Sequence, residues 1–126
     1  MKLDIEAHHT SFPIRNLERS VAFYEGVLGL EEIPRPAFGF RGKWYRAGAC
    51  EVHLIEIPEG GSFAAPPSSI SPFDRHAAFR VRDYAATVAH LRAHGLEVLE
   101  TSPELGQLWV QDPDGHILEF IVPRSA

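Results

Sequence analysis

Cysteine is almost absent from this chain: Cys50 is the one thiol among 126 residues, so no internal disulfide can staple the fold. Positive charge is scarce as well. Lys and Arg number 12 against 17 Asp and Glu, and the formal net charge of −5 offers no cationic face to a phosphate backbone, so nucleic acid is excluded as a partner. No apolar run approaches the ~20 residues of a bilayer-spanning helix, and no membrane partner is expected. The opening Met1-Lys2-Leu3-Asp4 leads straight into strand-like sequence rather than a basic and then apolar leader. These absences predict a cytoplasmic protein whose stability comes from an ordinary apolar core. At 126 residues and 44% hydrophobic content, one domain with a real core is expected. Histidine, by contrast, is plentiful, with seven in so short a chain.

Two of those histidines head the two copies of an internal repeat. His9-Thr10-Ser11-Phe12-Pro13-Ile14-Arg15-Asn16-Leu17 returns 67 residues later as His76-Ala77-Ala78-Phe79-Arg80-Val81-Arg82-Asp83-Tyr84. His, Phe and Arg match outright, while Ile/Val, Asn/Asp and Leu/Tyr match in physical kind. Downstream, Leu28-Gly29-Leu30-Glu31 answers to His94-Gly95-Leu96-Glu97 after a slip of one residue. Such a repeat means two copies of one supersecondary unit, expected about a pseudo-twofold axis where equivalent residues can meet.

Within the first copy, residues 5–14 read as a strand, and Asn16 as the N-cap of a helix whose inner face is Leu17, Val21, Tyr24 and Leu28. Gly29 ends that helix. Residues 30–33, 43–47 and 52–57 follow as three strands. In the second copy residues 76–81 form a strand, and Asp83 caps a helix burying Tyr84, Val88 and Leu91, stopped by Gly95. Residues 96–99, 108–111 and 117–122 are its remaining strands, the last two joined by the turn Asp112-Pro113-Asp114-Gly115. Each half is therefore βαβββ. Consecutive strands with short turns pair antiparallel, so the class is α+β. The organisation is module one at 1–57, a connecting loop at 58–75 and module two at 76–126. That loop, rich in Gly, Ser and Pro but carrying Phe63, Ile70 and Phe73, reads as a solvated linker or as a segment packing on a pocket mouth or a second subunit.

His9 and His76 occupy equivalent strands. Neighbouring strand residues face opposite ways, which selects His9 over His8. His8, His90, His94 and His116 have no histidine counterpart in the other copy and are expected in solvent or loops. Glu119 sits among apolar residues in Gly115-His116-Ile117-Leu118-Glu119-Phe120, where an unpaired carboxylate would be costly, so it calls for a cation. Counting back by the late-copy offset of 66 reaches His53; Glu56 is the alternative, on the opposite strand face. Imidazoles with one carboxylate suit a divalent Fe, Mn, Ni, Zn or Co ion. Phe38, Phe40, Trp44, Tyr45 and Trp109 are the aromatics expected around a substrate. Arg41 and Lys43 lie among the first four, placed to hold a carboxylate or phosphate.

With these residues placed, the chain resembles the vicinal oxygen chelate superfamily, which contains glyoxalase I, extradiol dioxygenases, methylmalonyl-CoA epimerase and the fosfomycin and bleomycin resistance proteins. The resemblance spans nearly the whole chain. Its most specific pieces are His9 followed by Asn16-Leu17-Glu18-Arg19-Ser20-Val21-Ala22-Phe23-Tyr24, then Val27-Leu28-Gly29-Leu30, and Asp112-Pro113-Asp114-Gly115-His116-Ile117-Leu118-Glu119. It implies two βαβββ modules forming a cupped, mostly antiparallel sheet around a divalent metal held by His9, His53 (or Glu56), His76 and Glu119. It also implies a homodimer and a small-molecule substrate whose neighbouring oxygens bind the metal. Glu56, if it points inward, could serve as general base. Glyoxalase I itself has a glutamate where this chain has His53, and an arginine for glutathione where it has Pro13. The expected activity is that of a lyase, isomerase or ring-cleaving dioxygenase. The alternative is a resistance or binding protein that sequesters a small molecule in the same cavity without needing the metal.

Overall fold

Asn16 and Asp83, at equivalent places in the repeat, make equivalent helix caps. Asn16 Oδ1 accepts from the Arg19 backbone N–H at 2.9 Å and caps α1, Leu17–Val21. Asp83 Oδ1 accepts from the Ala86 N–H at 2.9 Å and caps α2, Tyr84–Ala93. The computed structural model describes residues 1–124, in two compact units, Met1–Phe63 and Ala64 onward. The boundary falls inside the connecting stretch read from the sequence.

Each unit is a βαβββ module with its own four-stranded mixed sheet, as the α+β reading requires. In the first, β1 (His9–Ile14), β2 (Glu31–Ile33), β3 (Gly42–Ala47) and β4 (Cys50–Glu56) lie in the order β1-β4-β3-β2. In the second, β5 (His76–Arg80), β6 (Leu99–Glu100), β7 (Gln107–Gln111) and β8 (Ile117–Ile121) lie in the order β5-β8-β7-β6. The last three strands of each unit pair antiparallel in succession, whereas β1 runs parallel to β4 and β5 parallel to β8. Parallel neighbours need a long connection, and the helix with its meander supplies it.

The strand expected over 5–14 begins only at His9, because β4 begins at Cys50: the last backbone link is Glu51 N–H to His8 O at 2.9 Å, and beyond it only the Cys50 thiol reaches Ala7 O, at 3.8 Å. Leu3 and Ile5 alternate like strand residues but stay exposed. The first helix also departs from its expected face. After Val21 the chain widens into a π-helical segment, Ala22–Val27, with Leu28 N–H reaching Phe23 O at 3.0 Å. That widening buries Ser20, Phe23 and Tyr24, while Leu17, Val21 and Leu28 are only half-buried. Gly29 and Gly95 both take left-handed φ values, 72° and 79°, as the helix stops they were expected to be.

Alternation sorts each sheet into two faces. In the first unit Phe12, Ile14, Tyr45, Val52 and Leu54 form the apolar face, where Tyr24 stacks near Phe12 and Tyr45 at 5.9 and 6.3 Å. In the second unit Leu108, Val110, Leu118 and Phe120 do the same, and α2 buries Tyr84, Val88 and Leu91 as expected. The opposite faces carry the polar groups. Buried Asp112 builds the final turn, its Oδ1 accepting from the N–H groups of Asp114 and His116 at 2.9 and 2.8 Å.

Candidate functional site

The polar face of the first sheet presents a stack of three rings. Trp44 and His53 are cross-strand partners on β3 and β4, and their rings lie 4.0 Å apart at 4°. His9, on β1, covers the other side of His53 at 3.9 Å and 15°. Glu51, two residues before His53 and so on the same strand face, receives a 2.9 Å hydrogen bond from His53 Nε2. A carboxylate can only accept, so Nε2 carries the proton and the neutral ring keeps its lone pair on Nδ1. The bond to His53 holds the Glu51 carboxyl below its ordinary range. Desolvation first, and then the imidazoles of His53 and His8, push His9 below the usual histidine range, with Glu51 pulling the other way.

His8 is exposed and outside the strand, as expected. It precedes β1, so strand alternation does not apply to it, and its Nδ1 lies 2.8 Å from His9 Nδ1. Glu51 was not singled out from the sequence; its signal was the i, i+2 spacing from His53.

The second unit holds a second imidazole–carboxylate pair. His76 Nε2 lies 2.9 Å from Glu119 Oε1, and Glu119 is only 6% exposed. His76 Nδ1 lies 2.8 Å from the carbonyl oxygen of Asp74, which can only accept, so Nδ1 bears a proton. In a neutral His76 the remaining lone pair on Nε2 then faces a carboxylate oxygen, two acceptors in contact. One positive charge between them, a proton or a metal ion, resolves the conflict. At this separation both atoms could serve as donors to one divalent ion. Gln107 Nε2 donates to Glu119 Oε2 at 3.1 Å, and Trp109, the cross-strand partner of Glu119, sets its ring edge-on to His76 at 6.4 Å. The Asp74 and Gln107 contacts are the kind that orient metal-binding imidazole and carboxylate groups.

In the second unit, an imidazole and a carboxylate facing each other are donors that suit a borderline divalent cation; the first unit holds the stacked imidazoles of His9 and His53. Among the described residues, no group of three or more His, Cys, Asp or Glu side chains is placed to hold a metal ion.

Four residues expected at the site are engaged elsewhere. Glu56 lies on the face opposite His53, where its Oε2 accepts from the Leu17 N–H at 2.8 Å, next to the Asn16 cap. It is a helix-terminus anchor. Arg41 is engaged by Glu18 and by Glu56, the latter at 3.4 Å, so its charge serves the same junction. Tyr45 is fully buried and donates to Glu25 Oε2 at 2.8 Å; its neighbour Trp44 took the polar face, and alternation sends Tyr45 to the core. Desolvation pushes the Tyr45 phenol far up from its ordinary value. Lys43 pairs with Glu32 at 2.7 Å.

Phe38 and Phe40 remain half-exposed, stacked at 5.2 Å, with the Arg35 guanidinium over both rings at 4.8 and 5.1 Å. Phe38 also reaches Trp44 at 6.1 Å, which continues the aromatic surface from His53 to this loop.

Comparison with known proteins points the same way. Residues 6–120 match the family model of the Glyoxalase/Bleomycin resistance protein/Dioxygenase superfamily. The chain is 30% identical to Glyoxylase I 4 of Arabidopsis thaliana over 119 residues, covering 90% of this chain and 68% of that protein. It is 31% identical to the lactoylglutathione lyase of Haemophilus influenzae over 134 residues, covering 93% and 92%. Among solved structures, a candidate glyoxalase family protein from Bacillus anthracis superimposes with a TM-score of 0.77 at 26% identity, covering 98% of this chain and all of that one. A variant of the fosfomycin resistance protein FosX from Listeria monocytogenes, complexed with Mn(II) and dihydroxypropylphosphonic acid, shares the fold at a TM-score of 0.73 and 16% identity, covering 98% and 95%. No helix among the described residues is long and apolar enough to cross a membrane.

Proposed function

The chain belongs to the glyoxalase/bleomycin resistance protein/dioxygenase superfamily, and on that premise we propose that it is a divalent-metal-dependent enzyme acting on a small oxygenated or carbonyl compound. On this reading His9, His53, His76 and Glu119 are the proposed metal ligands, the set that the family resemblance implies. The observation that carries this reading is the 2.9 Å approach of His76 Nε2 to a buried carboxylate, a pairing that a proton or a metal ion must bridge. A bound ion would supply Lewis acidity toward neighbouring substrate oxygens and stabilise the negative charge that develops on them.

The protein's own side chains have separable tasks. Asp74 O fixes the His76 tautomer, and Gln107 fixes the Glu119 carboxylate. Trp44 and the Phe38–Phe40 pair offer flat apolar surface to the substrate's body, with Arg35 adding positive charge beside it. Trp109 packs at the His76 edge. Glu56 and Arg41 take no part in this scheme, being committed to the α1 junction. The Mn(II) and phosphonate held by the Listeria FosX variant support both the metal and an oxyanion-bearing ligand.

Sequestration of a small molecule without chemistry is the second reading, favoured by the exposed aromatic loop and by the fold shared with TnmS3, an antibiotic binding protein from Streptomyces. A panel of α-keto hemithioacetals, vicinal diols and epoxides, assayed with and without chelator, separates the two. Turnover that stops on chelation and returns with added metal is expected. Tight binding that survives complete metal removal, with no turnover on any substrate, would sink the enzyme reading.

We further propose a cytoplasmic homodimer. Phe73 is 97% exposed and Leu105 51%, and the opening segment shows Leu3 and Ile5, apolar surface that a second copy would cover. Sedimentation equilibrium at micromolar concentration should give about twice the 14.0 kDa chain mass. A monomeric profile would remove the dimer.

A further inference from the structure

Two histidines left over from the repeat meet at the end of α2. His90 lies in the last turn of Tyr84–Ala93 and His94 is its C-cap, four residues on, where helix geometry places side chains on one face. Both are exposed, and their ring centroids are 4.6 Å apart. His94 Nδ1 sits 3.0 Å from the His90 carbonyl oxygen. That oxygen can only accept, so Nδ1 holds the proton and the neutral ring keeps its lone pair on Nε2, a fixed tautomer with a ready donor. The site also stands at a helix C-terminus, where the aligned peptide dipoles favour a cation. The nearest arginine in sequence, Arg92, is turned to Glu100 at 2.7 Å, which offsets its charge.

We propose that His90 and His94 form a bidentate surface site for a late first-row divalent cation such as zinc, nickel or copper. It is distinct in sequence and composition from the His9, His53, His76 and Glu119 set. Two neutral imidazoles on one helical turn suit these borderline ions and not calcium or magnesium, which take oxygen ligands. Chelation requires both rings: once one is bound, the second binds at high effective concentration, so losing either removes most of the affinity.

The test is calorimetric titration of Zn²⁺ into the full-length protein and three variants, His90→Ala, His94→Ala, and the exchange Ala89→His with His90→Ala. The exchange keeps the histidine count but breaks the spacing. All three positions are exposed, and circular dichroism checks that each variant is folded. Relative to wild type, every variant should lose one binding event, its affinity falling by about tenfold or more. Because that event is read as a difference between isotherms, it stands or falls apart from the proposed metal centre. Isotherms that superimpose on wild type in folded variants, or an exchange variant that binds as wild type does, would overturn the site.

Discussion

Replacing Glu119 with glutamine should leave the metal-free protein's stability nearly unchanged while abolishing its response to metal. In chelator-treated protein the introduced amide can donate an N–H to the His76 Nε2 lone pair, and its carbonyl can accept from Gln107. Both hydrogen bonds survive, so a change in melting temperature of no more than about 3 °C is expected. With divalent metal added, wild type should gain about 4 kcal/mol at a thousandfold excess over Kd, roughly 10–15 °C in melting temperature. Glu119→Gln should gain almost none of this, because a neutral amide is a poor ligand for such an ion. Thermal melts of both proteins, with chelator and with metal, read all four values. Equal metal-induced shifts in the two proteins would mean that Glu119 is not a ligand.

Leu54→Ala makes the opposite separation, large damage to stability with the site left in place. Leu54 is wholly buried on the apolar face of β4, in register with Phe12 on β1 and flanked by His53 on the other face. Truncation leaves a cavity in a core that can close around it only in part, and about 3 kcal/mol should be lost, within the range of roughly 2–5 for such changes. Denaturant unfolding should show a lower midpoint at an unchanged slope, and the melting temperature should fall by roughly 10 °C. The folded fraction should bind metal as wild type does, since the imidazole points away from the lesion. A cost under about 1 kcal/mol would mean that this face is loosely packed.

Much of this molecule was legible in its sequence because repetition and capping are local. The equivalence of His9 with His76, of Asn16 with Asp83, and of Gly29 with Gly95 marked out the modules, the helix starts and the helix stops. Glu119 stood out because a carboxylate within an apolar strand calls for a cation, and the structure sets it 2.9 Å from His76, a contact that the strand pattern alone did not specify. What was hidden depends on tertiary pairing. The late start of β1 follows from where β4 begins, which alternation at Leu3 and Ile5 cannot convey. The π-helical Ala22–Val27 arises because two adjacent aromatics, Phe23 and Tyr24, both reach the core, whereas a 3.6-residue period allows a narrower stripe. Tyr45 and Arg41 looked like pocket residues because the glycines around them suggested a loop. Gly42 opens β3 instead, its missing side chain letting Leu54 O approach closer than a Cβ would allow.

Metal content tests the central claim most directly. Inductively coupled plasma mass spectrometry on desalted native protein, beside a folded His9→Ala, His76→Ala variant, reads it in one experiment. Carrying His90→Ala and His94→Ala in both samples removes any contribution from the surface pair. The expected result is about one ion per chain in the first sample and close to none in the second, as for a site that loses two of four ligands. Iron would direct the substrate search to diols and dioxygen, and nickel, zinc or cobalt to isomerase or lyase chemistry. No ion even after reconstitution, or equal retention in the variant, would contradict a metal centre built from His9, His53, His76 and Glu119.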